Sequence, residues 1–173
     1  MKADGGHMHP AEFAPGPATT RALRDALGCF ATGVTLITID SAEGPMGFAA
    51  NSFASVSLDP ALVLWSPARA SRRFPHYLAA RHYAIHVLPI DAQDLLARFA
   101  RDGAGFDGLD VTRNAEGVPV LDRAVARFDC RQHAVHEGGD HMIIIGEVMR
   151  ASHRGGDALM FHQGQYGGFS PLG

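Results

Sequence analysis

The chain predicts a mainly β fold, an antiparallel barrel with peripheral helices. Three observations carry this. Short runs rich in Val, Ile, Thr and aromatic residues recur with near period-two patterning. Gly- and Pro-bearing turns join these runs as hairpins at both ends of the sequence. Strand and helix patterns do not alternate regularly, which disfavours a doubly wound parallel sheet. At 173 residues the chain suits one domain with a sizeable core. A net charge of -3 gives no support for nucleic-acid or membrane-surface binding. No apolar run is long enough to span a bilayer, and no apolar signal core follows Lys2. Cys29 and Cys130 lie far apart and match no metal or redox motif. The expectation is a soluble, cytoplasmic protein.

Residues 1–19 are rich in Gly, Pro and Ala and read as a flexible tail, so the domain is placed at 20–173. His7 and His9 fall in that tail. Thr20 is expected to cap a helix reaching Leu27 or Cys29, with Leu23, Ala26, Leu27 and Phe30 on one apolar face. Val34–Ile39 reads as a strand, Ser41–Pro45 as a hairpin turn and Met46–Phe53 as the returning strand. Ala61–Trp65 is a short strand ended by Ser66 and Pro67. A helix is expected over Ala70–Ala80, with Pro75 near its start. His82–Leu88 is a strand, and Asp91–Arg101 a helix burying Leu95, Leu96 and Phe99. Gly103–Gly108 (GAGFDG) formally fits a dinucleotide-binding glycine pattern. It lacks the preceding strand and following helix, so it reads as a flexible loop. Arg113–Pro119 is turn-like. Ala124–Val135 and Met142–Met149 are strands, Gly146 marking a bulge or close approach in the second. Ala158–His162 is the last short strand.

Phe48–Pro60 (FAANSFASVSLDP) organises the chain. Asp59 is its one ionisable side chain. Asn51, Ser52, Ser55 and Ser57 interleave with Ala, Phe and Val, which suits a backbone lying against a flat polar ligand. The plain alternative is a Ser-rich strand and turn. Arg69, Arg72 and Arg73 gather beside Ser66 and Ser71, either as a solvated face or as a phosphate site. Asp140-His141 stands at the mouth of a strong strand, where it could carry catalysis or tie down a turn. His133, His136 and His141 come nearest to a metal set without forming one, so no metal is expected. No nucleophile motif or P-loop is present. Hydroxyls, amides and aromatics without an acid–base machine suit a protein that orients a cofactor doing its own chemistry.

The segments FATGVTLIT (Phe30–Thr38), GFAANSFASVSLDP (Gly47–Pro60) and GDHMIIIGEV (Gly139–Val148) resemble, in order and spacing, the short-chain flavin reductase-like family. These are the FMN-binding split barrels, among them the reductase components of two-component flavin monooxygenases. The resemblance implies a six-stranded antiparallel split barrel, a homodimer, and flavin held near the subunit interface. It implies an NAD(P)H:flavin oxidoreductase that passes hydride from NADH or NADPH to FMN or FAD, at an approach of roughly 3–3.5 Å. The reduced flavin would supply a monooxygenase. The alternatives are an FMN-containing reductase of a metal, corrinoid or organic acceptor, or a flavin-binding electron carrier. By the same resemblance Ala49, Asn51 and Ser52 line the flavin, while Ser55, Val56 and Ser57 meet its polar edge. Ser71 and Arg72 contact its phosphate, although SPARASRR departs from the hydroxyl-rich family pattern there. Phe99 and Phe106 lie in the aromatic segment, and His141 and Tyr166 near the nicotinamide.

Overall fold

The computed structural model describes residues 12–172. His7, His9 and the first eleven residues of the expected tail lie outside them. A single 3-10 turn, Pro17–Thr19, leads into α1, Thr20–Gly28. Thr20 is the first helical residue rather than the cap. Its hydroxyl donates back to the Gly16 and Pro17 carbonyls instead of receiving a helical N–H.

The chain then lays down β1 (Thr32–Gly33), β2 (Thr35–Ser41), β3 (Gly44–Ala50), β4 (Ala54–Leu58) and β5 (Ala61–Trp65). Next come α2 (Phe74–Ala79), β6 (His82–Val87), α3 (Gln93–Ala100) and the short pair β7 (Val111–Arg113) and β8 (Pro119–Leu121). Two 13-residue strands follow, β9 (Ala126–Gly138) and β10 (His141–His153), and then β11 (Met160–His162) and β12 (Gln165–Gly167). The principal sheet has seven strands in the order β3-β2-β6-β9-β10-β5-β4, every neighbour antiparallel. Two smaller sheets are β1-β11-β12 and β7-β8. The fold is mainly β with helices at its periphery.

Three expectations change. Six strands become seven, because Ala54–Leu58, read from sequence as a bend, pairs with β5 around a turn at Asp59-Pro60. Its alternation of Ser with apolar residues fits an edge strand, four of whose five residues are exposed. The returning strand stops at Ala50, which leaves Asn51–Phe53 as a link between two strands. The turn-like Arg113–Pro119 is a small hairpin, its tip closed by the Asn114 side chain accepting the Glu116 and Val118 N–H groups.

Burial shows why some strands read clearly. Every residue from Thr35 to Ile39 is buried, so β2 is covered on both faces. One core cluster surrounds Trp65, Tyr77 and Tyr83. Trp65 and Tyr77 stack edge-on at 5.2 Å, and the Tyr77 hydroxyl donates to the Ile37 carbonyl. A second cluster joins Val34, Leu36, Leu88, Leu95, Phe99, Leu121 and Leu159 beneath α3. The β9–β10 ladder shifts register between Ile145 and Gly146, the bulge expected there.

Candidate functional site

β3 ends in two alanines. Their small side chains leave a shallow floor, and Asn51 follows at its rim. Val34, Leu96, Phe161 and Tyr166 close the sides of this cavity, whose volume is about 180 Å³. Tyr166 pairs with Phe161 across the β11–β12 hairpin, ring centres 5.1 Å apart, and is 47% exposed. The structure therefore brings Ala49, Asn51 and Tyr166 together. Val34, Leu96 and Phe161 complete the walls without having been singled out. Phe161 carried a usable signal, because β11 and β12 are short strands whose aromatic residues face one another.

Ser52 turns its hydroxyl inward to the protein. It accepts the Ser66 N–H at 2.9 Å and lies 3.3 Å from the Ser66 carbonyl, latching the start of β4 to the end of β5. A ligand at this point would meet backbone rather than that hydroxyl. Ser55, Val56 and Ser57 lie on β4, with a register shift between Ser55 and Ser57. The outer side of β4 pairs with no strand among the described residues. Its backbone groups are open to a flat polar partner.

The arginines of residues 66–73 part company. Arg69 pairs with Glu137 at 3.0 Å. Arg73 turns inward and donates to the carbonyls of Gly47 and Phe99. Arg72 makes no ion pair or side-chain hydrogen bond among the described residues. It lines a polar pocket of about 420 Å³ with Ser71, His76 and Arg101, opposed by Glu43 and Asp102. Arg73 lines the same pocket with its guanidinium held by carbonyls, which leaves Arg72 as the arginine of the cluster without a side-chain partner among the described residues.

His141 opens β10. Its Nδ1 lies 2.8 Å from an oxygen of Asp140, and that hydrogen bond holds the Asp140 carboxyl below its ordinary range. The hairpin tip is sewn to residues 67–69. The Arg69 N–H donates to the Asp140 carbonyl at 2.9 Å, and the Met142 N–H to the Pro67 carbonyl at 3.1 Å. The His141 side chain is 43% exposed. It does not line the Tyr166 cavity, so within this chain the two expected nicotinamide neighbours stand in separate places.

Phe99 is placed differently from the expectation of a ligand contact. It has no exposed surface, because it fills the space above Gly47. A Cβ on Gly47 would lie 2.5 Å from the Phe99 ring. Phe106 covers it edge-on at 4.8 Å. Phe99 thus backs the cavity wall rather than facing a ligand. Among the described residues, no group of three His, Cys, Asp or Glu side chains could hold a metal. No helix is long and apolar enough to cross a membrane.

Known proteins fit this arrangement. Residues 27–170 match the flavin reductase-like domain family. The FMN reductase (NADH) SmoA of Agrobacterium fabrum is 56% identical over 158 residues, 91% of each chain. The reductase subunit HsaB of a flavin-dependent monooxygenase of Rhodococcus jostii is 40% identical, over 87% of this chain and 78% of that one. Among solved structures, the NADH:FAD oxidoreductase of Streptomyces globisporus, in complex with NAD and FAD fragments, superposes with a TM-score of 0.85. It is 35% identical, over 93% of this chain and 98% of that one. With most of its length and its whole β framework shared, the chain belongs to the flavin reductase-like family.

Proposed function

We infer that the protein is an NAD(P)H-dependent flavin reductase that supplies reduced flavin to a monooxygenase. The observation that carries this reading is the alanine floor of β3, rimmed by Asn51, flanked by Tyr166 and continued by the open edge of β4. A flat ring system needs a floor without bulk and polar groups along one edge, and both are present. The cavity of about 180 Å³ lies below the ~300–1,000 Å³ usual for small-molecule sites, so one chain holds only part of a flavin. A homodimer whose second copy completes the groove resolves this. Leu27 and Phe30 beside β1, and Val56 and Leu58 on β4, are exposed apolar surface suited to such an interface. In this reading residues 20–173 act as one domain, and the seven-stranded sheet curls as a split barrel around the two cores. The free thiols Cys29 and Cys130 suit the cytoplasm.

Bound flavin supplies an acceptor nitrogen for the hydride that reduced nicotinamide releases. The chain supplies placement. Ala49 and Ala50 let the ring approach the backbone, and the β4 edge with Ser55, Val56 and Ser57 offers donors to the polar margin that gains negative charge. Arg72 and Ser71 take the phosphate of FMN, or the first phosphate of FAD. His141, steadied by Asp140, positions nicotinamide. Phe161 and Tyr166 keep water from the ring face. Anaerobic mixing of the purified protein with NADH or NADPH and FMN should bleach the flavin absorbance band. Nicotinamide oxidation that is absent with every flavin would overturn the reading.

A further inference from the structure

Arg73 lines the same polar pocket as Ser71 and Arg72, but its guanidinium is committed inward. One guanidinium nitrogen donates to the Phe99 carbonyl at 2.7 Å and to the Gly47 carbonyl at 3.0 Å. The guanidinium carbon lies 4.7 Å from the centre of the Phe48 ring. Three elements meet there. Phe99 is in the last turn of α3, whose final carbonyls lack helical partners and welcome a cation. Gly47 and Phe48 belong to β3, immediately before Ala49. Arg73 itself follows Ser71 and Arg72, and its N–H is 3.3 Å from the Ser71 hydroxyl oxygen. The Gly47 N–H also donates to the Gly103 carbonyl at 2.8 Å, which anchors the loop after α3 in the same corner. Gly103 has φ +83°, and a Cβ there would meet both the Gly47 carbonyl and the Arg73 side chain. No other side chain in the described residues joins the flavin floor, the helix behind it and the expected phosphate turn.

We propose that Arg73 is a positioning residue of the flavin site. It does not touch phosphate. It pins β3 at Gly47 to the last turn of α3 and so holds the floor at Ala49–Asn51, on which the ring of any flavin rests, with or without a phosphate. A lysine there could keep the charge and reach a carbonyl, but it lacks the flat guanidinium that lies against Phe48 while one of its nitrogens donates to both carbonyls. The inference rests on the flavin-reductase reading, and the test separates the two.

Steady-state reduction is measured with FMN and with riboflavin, which has no phosphate, for wild type, Arg73→Met, Arg73→Lys and Arg72→Ala. Arg73→Met should raise KM for both flavins by a similar factor, roughly tenfold, the scale of one lost charge-assisted contact. Arg73→Lys should fall between it and wild type. Millimolar guanidinium chloride should restore part of the Arg73→Met loss and none of the Arg72→Ala loss. Arg72→Ala should raise KM for FMN and leave riboflavin unchanged. A loss in Arg73→Met confined to FMN overturns the proposal in favour of direct phosphate contact. Unchanged KM overturns it as well. If Arg73→Met does not fold, a folded Arg73→Lys with wild-type KM for both flavins reduces Arg73 to a scaffold role and overturns it. Wild-type protein that turns over neither flavin overturns the reading of the whole site. Active wild type with an indifferent Arg73 overturns this inference alone.

Discussion

α1 and α3 are helices of similar length, nine and eight residues, and both read from sequence as amphipathic. Their fates are opposite. α3 buries Leu95 and Phe99 completely, is clasped at its C-terminal end by Arg73, and sits where Gly47 leaves room for an aromatic ring. α1 buries nothing. Leu27 is 66% exposed, and Phe30, just beyond the helix, is 79% exposed. Periodicity fixes which face of a helix is apolar, but it does not say what covers that face. The α3 side of the molecule is closed by its own chain. The outward faces of α1 and β4 are left open, while the cavity of the proposed site takes one wall, Leu96, from α3.

The largest test of this contrast is truncation at the closed side. Phe99→Ala should lose about 3–5 kcal/mol of stability in urea unfolding, since it empties a packed position above a glycine that cannot fill it. A loss below about 1 kcal/mol would mean that α3 is not held by this contact.

The closed side also contains a titratable group. His86 is wholly buried, its Nδ1–H donating to the Leu36 carbonyl at 3.0 Å and its Nε2 accepting the Leu121 N–H at 3.2 Å. Burial pushes its pKa down to about 4, with Arg127 acting in the same direction and the Leu36 carbonyl, Asp129 and Asp122 opposing. The unfolded chain takes up this proton near pH 6.5, and the folded chain only near 4. The contribution of His86 is therefore full above pH 6.5, falls as pH drops towards 4, and is constant below that. The window should cost roughly 3 kcal/mol. Denaturant midpoints of wild type and His86→Gln measured across this range should converge as pH falls; parallel curves would show that His86 is protonated in the fold.

At the boundary between the two sides stands Arg72, the unpaired member of its cluster. Arg72→Ala should weaken FMN by about 1.5–3 kcal/mol and riboflavin negligibly, as read by fluorescence quenching. Equal losses for both would place the phosphate elsewhere.

What was legible in the sequence follows the same division. Strands buried on both faces, such as β2 and β6, announced themselves by branched residues between turns. β4 did not, because an edge strand of serines against an open face has the composition of a loop. The floor residues Ala49 and Asn51 could be named from the family pattern, and Tyr166 with them. Phe99 was expected at the ligand and is buried in this chain, since burial behind a wall and contact with a ligand both favour an aromatic residue. Arg73 was grouped with Arg69 and Arg72 as a solvated face or a phosphate site, because a charge near two exposed arginines gives no sign of turning inward. Only the carbonyls it meets, from β3 and α3, reveal that.

The smallest expected effect is the most direct probe of the open side. Leu27 is a large apolar residue, and on composition alone Leu27→Asp resembles a core lesion. With two-thirds of its surface already in water, its loss should change intrachain stability by no more than about 0.5 kcal/mol. The measurement belongs at a protein concentration low enough to suppress association, because a partner that binds the folded state adds its own stabilisation. At higher concentration, sedimentation of wild type and variant asks a separate question. If α1 is part of the proposed dimer, the variant should sediment as a lighter species where wild type does not. If both remain dimeric, the interface lies on β4 or elsewhere, and the contrast between the helices still stands. A loss near 3 kcal/mol in the dilute variant would break it, since α1 would then be packed against its own chain as tightly as α3.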